Sequence, residues 1–195
     1  MLATVIAISS LSITFEDSFA QTVSMISVSQ ITDDGSLVLN GANKITSFKI
    51  GSSTYLAVAS YVDDGVQILS VDSAGTVSAV SQITDDVTLE LNSARGITSF
   101  KIGSSTYLAV ASNLDNGVQI LSVNSAGTVS AVSQITDDAT LELDGASAIT
   151  SFKIGSSTYL AVVSETDDGV QILSVDSAGT VSAVSQITDD VTLEL

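Results

Sequence analysis

An internal repeat without insertions or deletions constrains this chain more than any other feature. The hexapeptide SQITDD begins at Ser29, Ser81, Ser133 and Ser185, so the period is 52 residues. Two longer strings, ITSFKIGSSTYLAV and GVQILSV, return unchanged in each of three periods. Periods of roughly 20 to 50 residues are typical of solenoids, propellers and other arrays of one supersecondary unit.

Each period reads as four short strands. In the first full period the apolar, β-branched runs are Ile45–Ile50, Thr54–Ser60, Val66–Val71 and Thr76–Ile83. Turn residues rich in Gly, Asp and Ser separate them, which predicts a four-stranded antiparallel meander. Apolar or small side chains occur on both faces of the predicted strands, so each sheet is expected to pack on neighbours on both sides, as the blades of a β-propeller do.

The number of repeats predicts an array that does not close. We expect three full blades at about residues 45–86, 97–138 and 149–190, within a repeat region that covers 22–195. Ser24–Ile31 reads as an orphan fourth strand that precedes them. Propellers usually have four to eight blades, so the prediction is an all-β, β-propeller-like array with an open ring. Such an array is either a fragment of a longer chain or a stack that associates with copies of itself through its open blade edges.

Charge and composition exclude several functions. The chain has 22 acidic and 5 basic residues, a net charge of −17, and neither His nor Cys. A surface this acidic repels nucleic acid and anionic membranes. The missing residue types remove disulfides, thiolate and imidazole metal ligands, and Ser-His or Cys-His nucleophile pairs. We therefore predict that the chain is not an enzyme and has no catalytic residues.

The N-terminus resembles a secretory signal. Leu2–Phe15 is apolar apart from Ser and Thr, and Ser18 and Ala20 occupy the small positions of a cleavage site. The run is too short for a confident membrane span. Residues 1–20 are therefore a predicted signal peptide, which implies an extracellular or cell-surface location. No Lys or Arg precedes the run, so a buried strand stays open as the alternative.

One rim of the array combines variation with acidic pairs. In a four-stranded meander, the turn between the second and third strands lies at the same end as the connection to the next blade. Both segments vary among the repeats, whereas the GSST turn at the opposite end does not. Loops that vary on a rigid scaffold are where partners bind, so we predict a protein or glycan site on this rim, hereafter the acidic rim. Its predicted binding residues are Tyr61, Asp63, Asp64, Asn113, Asp115, Glu165, Asp167 and Asp168.

The repeated carboxylates allow two interpretations. Ca²⁺ prefers oxygen ligands, and the candidate ligands are Asp33, Asp34, Asp85, Asp86, Asp137 and Asp138. No other cofactor is expected. Alternatively, Asp63, Asp115 and Asp167 cap hairpin turns through side-chain to backbone bonds. Because the same pair recurs in every blade, it lacks the asymmetry of a glycosidase site.

Three lysines recur in the first strand of each blade. Lys49, Lys101 and Lys153 would form a cationic ring if these strands were innermost. Pairing with nearby carboxylates is the interpretation that we favour.

A family resemblance adds to these predictions. The stretch TYLAVASYVDDGVQILSVDSAGTVSAV from Thr54 to Val80 resembles the repeats of lactonase-like and LVIVD-type β-propellers. The connection Ile135–Ala146 resembles linkers of such repeats in large secreted bacterial and archaeal surface proteins. The resemblance implies a secreted or surface-displayed propeller for protein or glycan binding, adhesion or scaffolding. Two alternatives remain: a fragment of a lactonase-like hydrolase whose catalytic residues lie outside this chain, and a Ca²⁺-stabilised adhesive module.

Overall fold

The computed structural model describes residues 26–189, which form three antiparallel sheets of four strands each. The first sheet contains β1 (Ala42–Ile50), β2 (Ser53–Ser60), β3 (Gly65–Val71) and β4 (Val77–Thr84). The second contains β5 (Ala94–Ile102), β6 (Ser105–Ser112), β7 (Gly117–Val123) and β8 (Val129–Thr136). The third contains β9 (Ala146–Ile154), β10 (Ser157–Ser164), β11 (Gly169–Val175) and β12 (Val181–Thr188).

Strands follow one another in chain order within each sheet, so each sheet is the predicted meander. The prediction of an all-β, open array of three four-stranded blades is confirmed. The proposed signal peptide lies outside the described residues. Within residues 26–189 there is no helix long and apolar enough to cross a membrane.

A buried glutamine holds each blade at its bulge. Ile68 pairs with Ser81 and Leu69 with Ala79, so Val80 is an extra residue in β4. The amide of Gln67, on β3, donates to the carbonyls of Ile68 and Ser81 at 3.2 and 2.9 Å. Its Oε1 accepts the backbone N–H of residue 38 in the connection that enters the blade. Gln119 and Gln171 make the same three bonds in the other blades, which satisfies polar groups that no strand pairing reaches.

The blades pack face to face through apolar side chains. We call the face that a blade turns toward the next blade its rear face, and the opposite one its front face. The rear face of the first blade carries Phe48, Tyr55, Ala57, Ala59, Val66 and Ile68. The front face of the second blade carries Ile97, Leu108, Val110, Leu121, Val123 and Val129. All twelve are buried, and the equivalent residues form the core between the second and third blades.

The first strands of adjacent blades lie side by side and form a polar inner layer. The hydroxyls of Thr46 on β1 and Ser99 on β5 are 3.3 Å apart, and those of Thr98 and Ser151 repeat this contact between β5 and β9. These contacts make the first strand innermost in each blade, as in a propeller.

The predicted orphan strand has a blade position but no sheet. Residues 26–31 belong to no strand, and Ser24 lies outside the described residues. Nevertheless, Ser29 Oγ accepts the N–H of Val77 at 3.1 Å, as Ser81 Oγ accepts that of Val129 at 3.2 Å. The segment therefore occupies the place of an outer strand, but its described residues, 26–31, do not adopt the predicted strand.

Candidate functional site

The hairpin between the second and third strands of each blade carries an Asp-Asp or Asp-Asn pair. The first carboxylate of this pair bonds to the connection that enters the same blade. Asp63 Oδ2 accepts the N–H of Asn40 at 2.8 Å. Asp115 and Asp167 accept the N–H groups of Asn92 and Asp144, also at 2.8 Å. The prediction that these carboxylates cap their own hairpin turns is corrected, because the acceptor and donor are 23 residues apart.

The second residue of the pair reaches the following connection. Asp64 Oδ1 accepts the N–H of Ser93 at 2.7 Å, and Asn116 Oδ1 accepts that of Gly145 at 3.0 Å. Asp64 and Asn116 take positive φ values of 50° and 57°, so this residue, rather than the glycine after it, adopts the left-handed conformation of the turn. Gly65 is needed for a different reason, since a Cβ there would overlap the carbonyl of Ile83.

The candidate calcium ligands also bond within the protein. Asp34, Asp86 and Asp138 each accept the N–H and the hydroxyl of the residue two positions on, and these bonds lower the pKa of each carboxyl. Asp33 accepts the N–H of Gly35.

Asp85 and Asp137 accept the N–H groups of Leu91 and Leu143 at 3.2 Å, and burial raises the pKa of both. In the part of the chain that the structure describes, no three acidic side chains converge as metal ligands. Calcium binding stays a prediction.

Two buried glutamates on this rim were missed by sequence reasoning. Glu90 is 8% exposed, its Oε1 accepts the hydroxyl of Thr136 at 2.6 Å, and its Oε2 has no hydrogen-bond partner. Burial raises the pKa of Glu90, and the charges of Asp115 and Asp85 add to this. Glu142 bonds Thr188 in the same way. The one sequence signal for this burial comes from comparing the repeats: the residue equivalent to Glu90 in the first blade is the apolar Val38.

The exposed part of the acidic rim is made of variable side chains. Tyr61 is 47% exposed and Leu114 is 66% exposed on equivalent turns. Glu165, at the same turn in the third blade, forms a 3.0 Å ion pair with Arg95 at the start of β5. The tips of these turns face solvent, whereas Asp63, Asp64, Asp115 and Asp167 are only partly exposed and bond to backbone. Asp168 is exposed.

The three recurrent lysines carry no carboxylate partner within residues 26–189. Lys49, Lys101 and Lys153 are exposed at the ends of the inner strands, beside the constant rim. The ion pair in the described region joins Arg95 and Glu165 instead. Lys153 Nζ donates to the carbonyl of Lys101 at 3.1 Å. The favoured interpretation, pairing with nearby carboxylates, is therefore wrong for this region.

These lysines line two clefts of the same composition. The first has a volume of about 220 Å³ and lies between the first and second blades; the second, of about 250 Å³, lies between the second and third. The first is lined by Phe48, Lys49, Ser99, Phe100, Lys101 and Thr106. The second is lined by Phe100, Lys101, Ser151, Phe152, Lys153 and Thr158. Each phenylalanine stacks on the tyrosine across the hairpin, with ring centres 5.6 to 5.7 Å apart, which fixes its orientation.

Comparisons with known proteins find likeness in structure alone. No family model matches the sequence, and no curated protein matches it. A putative 6-phosphogluconolactonase from Bacteroides fragilis superposes with a TM-score of 0.59 at 16% identity, over 77% of this chain and 40% of that one. An exo-β-1,3-galactanase from Phanerochaete chrysosporium, solved with β-1,3-galactotriose, gives 0.57 at 13% identity, over 83% and 39%. A protein from Lactobacillus plantarum gives 0.58 at 12% identity, over 75% and 42%.

The fold is an open β-propeller. This propeller spans about two fifths of the length of those three structures. At these low sequence identities the likeness establishes the fold and nothing about activity. The prediction that the chain is not an enzyme is corrected by these neighbours, which include a putative lactonase and glycosidases on the same fold. That prediction relied on the absence of histidine and cysteine, whereas the neighbours show that enzymes occur on this fold.

Proposed function

We propose that this open propeller binds an anionic carbohydrate along its inner strands, as part of the substrate channel of a sugar-acting hydrolase. The observation that carries the proposal is the set of three inner-strand lysines, which lack carboxylate partners within residues 26–189. In a chain with a net charge of −17, three of its five cations are gathered on one wall. Their charges are available to a carboxylate or phosphate of a ligand.

The surroundings of the lysines suit a sugar. Each cleft offers serine and threonine hydroxyls beside two phenylalanine rings, so polar groups stand next to apolar surface. Such a combination of a few placed polar groups with aromatic walls is typical of small-molecule sites. Because the clefts repeat at the spacing of one blade, an extended ligand with charges along its length would contact more than one of them.

The structural neighbours support carbohydrate as the ligand class. One is described as a putative 6-phosphogluconolactonase and another was solved with a galactotriose. This chain spans less than half of either, so the activity of a whole protein of this kind is a proposal. An extracellular location is likewise a proposal, supported by the signal-like pattern of residues 1–20.

Calorimetric titration with 6-phosphogluconate and with neutral galactotriose tests the proposal. We expect the purified chain to bind the anionic sugar more tightly, and higher salt to weaken that binding because exposed charges are screened. The variant Lys49→Gln/Lys101→Gln/Lys153→Gln should bind at least tenfold more weakly. The control Lys44→Gln removes a lysine that lines neither lysine cleft and should bind as the parent chain does. Absence of binding by the parent, or equal binding by the triple variant, would contradict the proposal.

A second candidate function is protein or glycan binding at the acidic rim. The repeat-specific residues Tyr61, Asn113 and Glu165 favour it, because each blade presents a different side chain at the same place; Tyr61 and Glu165 are exposed and Asn113 is partly exposed. Screening the chain on a glycan array before and after Tyr61→Ser tests this candidate. Loss of a specific signal in the variant would support it, and a signal that does not depend on Tyr61 would count against it.

A further inference from the structure

The two ends of the array are the two halves of an interface that the chain already forms twice. Between the first and second blades, Ala59 of the rear face and Ile97 of the front face are 0% and 5% exposed. At the open ends, the equivalent residues are Val163, 47% exposed, and Ile45, 57% exposed. No sheet within residues 26–189 covers either of these end faces.

The open faces match the covered ones almost residue for residue. The rear face of the third blade carries Phe152, Tyr159, Ala161, Val170 and Ile172, which repeat the types found at the two formed interfaces. Val163 is the exception, since Ala59 and Ala111 stand at that place in the other blades. The front face of the first blade carries Leu56, Val58 and Leu69, identical in type to Leu108, Val110 and Leu121. At both interfaces formed inside the chain, a front face with these residue types covers a rear face with these residue types.

We infer that a second copy of this chain docks head to tail, with the rear face of its third blade on the front face of the first. A head-to-tail contact of this sort closes into a ring or continues into a filament. Two copies of the three blades described in residues 26–189 supply six, which falls within the usual four to eight blades of propellers, whereas three copies would supply nine. The proposed assembly is therefore a closed dimer, and it does not depend on the function proposed above.

Residues 26–31 compete with this docking. Inside the chain, Ser81 of an outer strand accepts the N–H of Val129 and donates to the carbonyl of Gly127 in the next blade. On the open front face, Ser29 already accepts the equivalent N–H of Val77. In the dimer, the outer strand β12 of the partner copy would occupy this place, so residues 26–31 have to be displaced. The cover of this face is partial: Val58 and Leu69 are 6% and 3% exposed, whereas Ile45 is 57% exposed. The segment lines a cleft of about 540 Å³ together with these residues and Leu56.

Sedimentation equilibrium of the full chain, over a range of concentrations and at about 0.15 M and 0.5 M salt, tests the inference. We expect a dimer whose association tightens with salt, because each copy carries a charge of −17. Ile45→Asp and Val163→Asp alter residues that are half exposed within one copy, so each variant should fold, which far-ultraviolet circular dichroism checks. Each should weaken association at least 100-fold. Val62→Asp alters an exposed residue of the acidic rim and should leave the dimer intact.

Mixing the two variants gives the most decisive test of the head-to-tail contact. A mixture of Ile45→Asp with Val163→Asp retains one unaltered pair of faces, so it should form a one-to-one dimer that neither variant forms alone. Ser29→Ala should tighten association of the full chain severalfold by releasing the competing segment. A chain that stays monomeric at every concentration, a filament instead of a dimer, or a mixture that remains monomeric would each overturn the inference.

Discussion

Asp64 Oδ1 accepts a 2.7 Å hydrogen bond from the backbone N–H of Ser93, and this bond joins the hairpin of one blade to the connection that begins the next. Both residues have positive φ, 50° and 58°, so the bond joins two positions whose backbone is in the left-handed conformation. In the second blade, Asn116 and Gly145 make the same bond without a charge on the acceptor.

Replacing Asp64 separates the contribution of the hydrogen bond from that of the charge. Asp64→Ala leaves the part-buried N–H of Ser93 without its acceptor, so we expect the free energy of unfolding to fall by about 1–3 kcal/mol. Asp64→Asn keeps an acceptor, as Asn116 does naturally, and should change stability by less than about 0.5 kcal/mol. Urea unfolding of both variants measures the difference, and equal losses would show that the charge matters rather than the bond.

The buried glutamine of the central blade should be the most sensitive polar position. Gln119→Leu removes the acceptor of the Glu90 N–H and the donor for the carbonyls of Ile120 and Ser133. Leaving these buried groups unpaired should cost about 3 kcal/mol, because each one loses its water without regaining a partner. Thermal unfolding of the variant checks this, with the exposed Val132→Ala as the control. A loss below about 1 kcal/mol would contradict the account.

Glu90 should destabilise the protein at neutral pH. Burial raises the pKa of its carboxyl, so the folded state holds the proton more tightly than the unfolded state does. The ionised form therefore opposes folding at neutral pH, and this cost disappears as pH falls through the raised pKa toward the unfolded value near 4.5.

The variant Glu90→Val restores the residue type of the first blade, Val38, and tests this directly. We expect unfolding at pH 7.5 to require about 1–3 kcal/mol more than in the parent, with a smaller gain at pH 4.5. A gain that is independent of pH would mean that the carboxyl keeps its ordinary pKa.

The ion pair between Arg95 and Glu165 joins two variable positions of neighbouring blades. Both side chains are well exposed, 35% and 56%, so a double-mutant cycle with Arg95→Gln and Glu165→Gln should give a coupling of about 0.2–1 kcal/mol. The coupling should shrink in 0.5 M salt. A coupling that is unaffected by salt would indicate that the two residues interact by packing rather than by charge.

The repeat and its turn residues predicted the fold because both are local signals. Four apolar runs per 52 residues, separated by Gly- and Asp-containing turns, give the strands and their order. The partners of Asp63 and Asp64 were beyond reach, since their bonds span 23 and 29 residues and depend on how one blade meets a connection.

The burial of Glu90 depends on a neighbour as well. Its carboxylate lies against Gly117 of the following blade, a contact that spacing along the chain does not reveal. The lysines were misjudged because the sequence offers many carboxylates, whereas the sheets place most of these on the acidic rim, at the opposite ends of the inner strands from the lysines. Asp72 and Asp176 lie at the lysines' end, but they accept N–H groups of their own turns.

Lys49, Lys101 and Lys153 are the residues that we propose to hold an anionic sugar. Nuclear magnetic resonance of the lysine side chains, recorded while 6-phosphogluconate is added, tests this proposal most directly. We expect saturable shifts at the ε-methylene and ammonium signals of these three lysines, with none at Lys44. Shifts spread equally over all four lysines, or no shifts at saturating sugar, would contradict it.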